Sequence, residues 1–271
     1  MKLFFTDLDS TLLNDQKQIS ENLKQGLRKM LANGNKFIIT SGRPLQSIIE
    51  LKDSFDLGTN DGVFISANNG ALIYDCANQK IIHREYISLE LAKKVMAIAN
   101  KHNVHTHTYD DVDMISTVFD DEVLFYENKI KLPARIVENL DDAIPLKIVP
   151  KVMTVCLNDF DRFIPLNKEL KATFSDELIT FFSCPQYLEV TSSKAGKGSS
   201  VRFICNLLGA SLDDAYAIGD EENDMSMILA AGTGIAMKNA IPAIIEAADY
   251  VTTTNNNEDG ALEALQKFNF L

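Results

Sequence analysis

Carboxylates crowd two short stretches of this chain, Asp7-Leu8-Asp9-Ser10-Thr11 and Gly219-Asp220-Glu221-Glu222-Asn223-Asp224, and between them lie Ser41-Gly42-Arg43 and Lys197-Gly198. Asp7 and Asp220 can each offer a hard oxygen to a cation such as Mg²⁺, which takes near-octahedral oxygen coordination and keeps positions for water and an anionic ligand. The Ser41 hydroxyl, the unhindered Gly42 amide and the Lys197 ammonium are groups suited to phosphoryl oxygens. Each segment taken alone has a plainer reading. Acidic residues after a strand cap helices and form turns, Gly-Asp-x-x-Asn-Asp can be a cap before a helix at Met225, and an isolated Lys-Gly carries almost no information. The order of the segments and the elements that must hold them carry the argument.

Residues 2–6 form an apolar run that reads as a strand, and residues 20–33 have helical periodicity through Leu23, Leu27, Met30 and Leu31, stopped at Asn33-Gly34. Lys36 to Thr40 reads as a second strand, Ser41 to Pro44 as a turn opening another helix, and Val63 to Ser66 as a third strand. This βαβαβ order predicts a parallel sheet wrapped by helices. Near residue 83 the texture changes. A helix over Ser88 to His102 is followed by short strand-like runs, separated by Asp-rich or Pro-containing turns, up to about Tyr187. The βα pattern then resumes, with a helix at 198–208 ending at Gly209, a strand at 215–218, a short helix at 225–230 and a strand at 234–236. The expectation is an α/β protein: a Rossmann-like doubly wound parallel sheet core from residues 1–83 and 188–271, with an α+β insert over 84–187. Thr252 to Asn257 reads as a polar loop after a last short strand. Ligands of open parallel sheets bind at the carboxyl ends of strands, and all four segments fall at strand ends or helix starts.

In that order and placement the segments resemble the four motifs of the haloacid dehalogenase superfamily. The insert between the second and third, preceded by Asn69-Gly70-Ala71, resembles the C2-type cap of its Cof-type phosphatases, subfamily IIB. The resemblance implies a Mg²⁺-dependent hydrolase of small phosphorylated metabolites, sugar phosphates in particular. Asp7 is then the nucleophile that forms an aspartyl-phosphate, and Asp9 is the general acid and base. Asp7, the backbone carbonyl of Asp9, Asp220 and, through water, Asp224 are implied around the metal; Asp224 instead fixes Lys197 on the other reading open here. Thr11 orients the first loop and joins Ser41, Gly42, Lys197 and Asn223 at the phosphate. Ser10 stands where many members carry glycine, at an expected small cost. Arg43 is open between attracting phosphate and a surface ion pair. Two other functions stay in view: a hexose phosphomutase using the same intermediate, and a phospho-acceptor module in which Asp7 is modified for signalling. The two crossings of the insert are expected to act as a paired hinge.

The 271 residues, 46% hydrophobic and 24% charged, are ample for one large or two moderate globular domains. A net charge of −12 would repel nucleic acid and anionic membranes, so a site for phosphate needs local cations or a metal. Cys76, Cys156, Cys184 and Cys205 are widely spaced and read as thiols of a reducing compartment. The apolar run at Leu3-Phe4-Phe5 is too short for a signal peptide or membrane span, and a cytoplasmic protein is expected. Oligomeric state is open. His102, His105 and His107 are expected to be partly exposed residues of the insert, with no metal role, and Asp110-Asp111-Val112-Asp113 and Asp120-Asp121-Glu122 to be hairpin turns and solvated faces.

Overall fold

The structure is a computed structural model and describes residues 1–130 and 132–271. The chain opens with Leu3–Thr6 (β1), buried throughout, and Glu21–Ala32 (α1). Leu23, Leu27, Met30 and Leu31 give α1 its buried stripe, and the Ser20 hydroxyl caps it by accepting from Leu23 N. Lys36–Thr40 (β2), Leu45–Ser54 (α2) and Val63–Ala67 (β3) complete the βαβαβ unit, with β1, β2 and β3 pairing in parallel. Beyond the sequence pattern, Leu72–Asp75 (β4) runs antiparallel to β3, and Lys80–Arg84 (β5) ends the sheet.

There follow Ile87–Ser88 (β6), Leu89–Lys101 (α3), His105–Tyr109 (β7), Met114–Ser116 (β8), Asp121–Ile130 (α4), Ala134–Ile136 (β9), Leu140–Ala143 (α5), Ile148–Val149 (β10), Lys151–Val155 (β11), Phe163–Phe174 (α6), Leu178–Cys184 (β12) and Tyr187–Ser192 (β13). Six of these strands form a sheet in the order β12-β13-β11-β7-β8-β9. Because side chains alternate along a strand, Val152 joins the core built with α3 and α6, while Met153 joins Tyr109, Tyr126 of α4 and Tyr187 in a second cluster. Two helices replace expected strands and turns here. Asp121 and Glu122 are not a hairpin turn but the acidic first turn of α4, and Pro165 lies in the first turn of α6, where its missing N–H costs no helical bond.

The chain ends with Lys197–Leu208 (α7), Ala215–Gly219 (β14), Met225–Ala230 (α8), Thr233–Ala236 (β15), Pro242–Ala247 (α9), Tyr250–Val251 (β16) and Gly260–Lys267 (α10). Gly209 closes α7 in the left-handed conformation. Strands β14, β15 and β16 extend the first sheet, in the order β16-β15-β14-β1-β2-β3-β4-β5. Two compact units result: Met1–Arg43, Ile48–His83 and Gly196–Leu271 in one, Pro44–Ser47 and Arg84–Ala195 in the other. The return crossing falls after Ala195 and not at 188, because β13 pairs with β11 and β12 inside the second unit. Among the described residues no helix is long and apolar enough to cross a membrane.

Candidate active site

Strand β1 lies between β14 and β2, in parallel register with both. Their carboxyl ends therefore deliver Asp7, Asp220 and Ser41 to one place, and the first turn of α7 adds Lys197. Asp7, Asp220 and Asp224 are buried, and one carboxylate oxygen from each lies within 4.8 Å of the others. Lys197, fully buried, donates to Asp7 Oδ1 at 2.6 Å and to Asp224 Oδ1 at 2.5 Å. The second Asp224 oxygen accepts from the amides of Asp220 and Glu221 at 2.9 and 3.1 Å. Of the two roles open for Asp224, the geometry is that of a residue fixing Lys197. Gly219 is required beneath it, since a Cβ there would come within 2.5 Å of the Asp224 carboxylate.

Three carboxylates share this one ammonium. Burial pushes Asp7 up to about 8; Lys197 opposes the rise, and the Asp224 and Asp220 charges add to it. Asp220 is raised to about 7, again chiefly by burial. For Lys197 burial works against the charge, but Asp224 and Asp7 outweigh it and raise its pKa. A buried, all-oxygen donor set that one lysine leaves under-neutralised has the chemistry of a hard divalent cation site.

Asp9 faces opposite conditions. Burial would raise its pKa, but the Arg43 guanidinium grips both carboxylate oxygens at 2.7 Å and Lys17 Nζ reaches Oδ1 at 2.6 Å, so it is lowered to about 2. The position of Arg43, open in the sequence, is thus on Asp9. The Thr11 hydroxyl donates to Asp220 Oδ1 at 2.6 Å, tying the first loop to the last motif. Ser41, buried, accepts from Arg43 N, and Asn223 donates to Asn69 Oδ1 at 3.1 Å.

The family model for haloacid dehalogenase-like hydrolases matches residues 4–265. The chain belongs to this family. A haloacid dehalogenase-like hydrolase structure from Bacteroides thetaiotaomicron superposes with a TM-score of 0.87 at 29% identity, covering 98% of this chain and 99% of that one. The chain is also 29% identical over 271 residues to the 5-amino-6-(5-phospho-D-ribitylamino)uracil phosphatase YcsE of Bacillus subtilis, covering 98% of this chain and 95% of the relative. A sugar phosphatase of haloacid dehalogenase subclass IIB covers all of both chains with a TM-score of 0.80, and at 22% identity it bears on the fold alone. Family, fold and relatives agree on a haloacid dehalogenase-type phosphatase.

Within this haloacid dehalogenase site the structure adds detail at three places: the Asn69-Gly70 turn and Ser10, both picked out in the sequence, and Lys17, which was not. Asn68 and Asn69 occupy the left-handed region at φ 50 and 54. Their amides donate to the carbonyls of Arg43 and Ser41, and the Asn69 side chain fills the space that a Cβ on Gly42 would enter. The run Asn-Asn-Gly was the available signal, since asparagine tolerates that conformation best after glycine. Ser10 is left-handed at φ 60, so serine is strained there by about 1 kcal/mol or more. Lys17 carried no signal at all.

His102, His105 and His107 belong to the second unit. His107 is buried, not partly exposed, because Tyr126 of α4 packs on it, and its Nε2 meets the Tyr109 hydroxyl at 3.2 Å; His105 is partly exposed as expected, its Nδ1 meeting Asp120 at 2.7 Å. His102 pairs with Glu169. Asp110 does hold the β7–β8 turn, accepting from the amides of Val112 and Asp113.

Proposed function

We propose that this enzyme is a Mg²⁺-dependent phosphomonoesterase of small phosphorylated metabolites, sugar phosphates among them, working through an aspartyl-phosphate on Asp7. The observation that carries the reading is the buried trio Asp7, Asp220 and Asp224 around Lys197. Asp7, Asp220 and the Asp9 carbonyl would hold the cation, with Asp224 behind them through Lys197. When bound, the ion neutralises charge on the phosphoryl oxygens and on Asp7. A substrate phosphorylated on a ribityl chain, which the name of the Bacillus relative states for that protein, supports the sugar-phosphate class. Four unpaired cysteines support a reducing, cytoplasmic setting.

In the first step an Asp7 carboxylate oxygen adds to phosphorus, the bond to the substrate oxygen breaks, and Asp9 gives its proton to the departing alkoxide. In the second, water adds to the same phosphorus and passes a proton to Asp9, the bond to Asp7 breaks, and inorganic phosphate leaves. Lys197, Ser41, Gly42 and Asn223 would meet the phosphoryl oxygens, and Thr11 would act by fixing Asp220. The two cations at rest on Asp9 keep it ionised, so it can carry a proton only once one of them is drawn off. Arg43, whose planar fork matches a phosphate as well as a carboxylate, is the one a substrate would draw.

The test is phosphate release from a panel of sugar phosphates, nucleotides and an aryl phosphate, with Mg²⁺, with chelator, and for Asp7→Asn. Release should need the metal and fall on the order of 10³-fold or more in the variant. Release that survives Asp7→Asn would refute the nucleophile, and isomerisation of a sugar phosphate without release would turn the reading to a mutase.

A further inference from the structure

Asp9 is gripped by a second cation that phosphoryl chemistry alone does not call for. Lys17 Nζ lies 2.6 Å from Asp9 Oδ1, although 53% of the lysine side chain is exposed. An exposed pair of this kind is ordinarily weak and loosely held. Here the backbone aims it. Asn14 N donates to Gln18 O and Lys17 N to Asn14 O, while Asn14 Oδ1 accepts from the amides of Gln16 and Gln18. The closed loop sets Lys17 at φ 60, a conformation a lysine adopts only where its surroundings impose it. The loop is in turn fastened to the far end of the chain: Asp15 N donates to Asn257 Oδ1, Asn257 Nδ2 to Asp15 Oδ2, and Asn256 Nδ2 to Leu13 O.

We propose that Lys17 is a positioning residue for Asp9, and that the loop of residues 14–18, pinned by Asn256 and Asn257, is the device that keeps it in place. The proposal rests on the reading of Asp9 as the group that moves the proton. Arg43 is the cation suited to leave for the substrate, whereas Lys17 can stay, because a carboxyl group offers an acceptor oxygen whether or not it carries a proton. Lys17 would then hold the aim of Asp9 through both steps.

The experiment is steady-state hydrolysis of a sugar phosphate and an aryl phosphate by the full chain with Mg²⁺, as wild type, Lys17→Met, Lys17→Arg, Asp9→Asn and the Lys17→Met/Asp9→Asn pair. Lys17→Met should lower kcat by about tenfold to a hundredfold, the scale of a misplaced catalytic group, and change KM by less than about threefold. Lys17→Arg should restore most of the rate. In the Asp9→Asn background, measured on the aryl ester, the same substitution should change kcat by less than about twofold, because the two act as one unit. An unchanged kcat for Lys17→Met, a rise in KM alone, an equal loss in the Asp9→Asn background, or a melting midpoint lowered by more than about 8 °C, which would trace the loss to the fold, would each overturn the proposal. A wild-type chain that releases no phosphate would instead remove the reading beneath it, and that control separates the two failures.

Discussion

Replacing Lys197 by methionine keeps most of the side chain's length and removes its charge. In the native structure that ammonium is fully buried between Asp7 and Asp224, at 2.6 and 2.5 Å. Breaking a buried pair by removing one partner costs about 3–5 kcal/mol, since the remaining charge is left without compensation. At about 2–4 °C per kcal/mol for a chain of this size, the metal-free variant should melt roughly 6–20 °C below wild type. The deficit should depend on pH in a definite direction. Asp7 and Asp220 stand at about 8 and about 7, above the ordinary 3.8, so their contribution to stability is complete below about pH 4 and is lost as pH rises towards 8. Without Lys197 both rise further, so the deficit should be small near pH 5 and largest near pH 8. Mg²⁺ should recover part of it, about 2.7 kcal/mol at a hundredfold excess over Kd. Circular-dichroism melts with chelator and with graded Mg²⁺, from pH 5 to 8, give the measurement. A metal-free midpoint within about 2 °C of wild type at neutral pH, or a deficit that shrinks as pH rises, would refute the assignment of Lys197 as the compensating cation of Asp7 and Asp224.

Ser10→Gly should raise stability by about 0.5–1 kcal/mol in a denaturant titration, because the left-handed backbone at φ 60 suits glycine. Gly219→Ala should push the Asp224 carboxylate off its seat, the new Cβ lying 2.5 Å from it, at a cost of about 1–3 kcal/mol and with a fall in kcat visible in the same phosphate assay. Glu263 accepts from the amides and hydroxyls of Thr253 and Thr254 and from the Tyr250 hydroxyl; Glu263→Ala should cost about 1–3 kcal/mol at neutral pH. Burial acts against that carboxylate, but its donors prevail and lower it to about 2 from 4.5. Its contribution should hold above about pH 4.5 and disappear as pH falls towards 2, so variant and wild-type melting curves should converge in acid.

The carboxyl ends of β1, β2 and β14 were legible because a buried parallel strand followed at once by polar residues is a local pattern. Asp7, Ser41 and Asp220 stand where that pattern puts them, and Lys197 opens α7 as expected. The hairpin of β4 and β5 was lost because its strands are short and partly exposed. Helix α4 was lost because only Val123 and Tyr126 of its ten residues are buried, which leaves little periodicity to read, and α6 because Pro165 in its first turn reads as a break. At the site, the partners of Asp9 and Thr11 escaped for a different reason. Lys17 reaches Asp9 through a left-handed loop, and Thr11 meets Asp220 across 209 residues of sequence; both depend on tertiary geometry that residue type and spacing do not encode.

The neighbour of β1 on one side, β14, is made more than two hundred residues after it, with Leu3 finally opposite Ala215. On a ribosome adding about 5–20 residues per second, that edge of β1 waits roughly 10–40 s for its partner. Throughout the wait Asp7 and Asp9 exist without Lys197, Asp220 or Asp224, so a truncated or stalled chain carries the first carboxylates but not the buried acidic trio. With the second unit inserted in the sequence between β5 and β14, the assembled grouping of Asp7, Lys197, Asp220 and Asp224 is one of the last features the chain acquires.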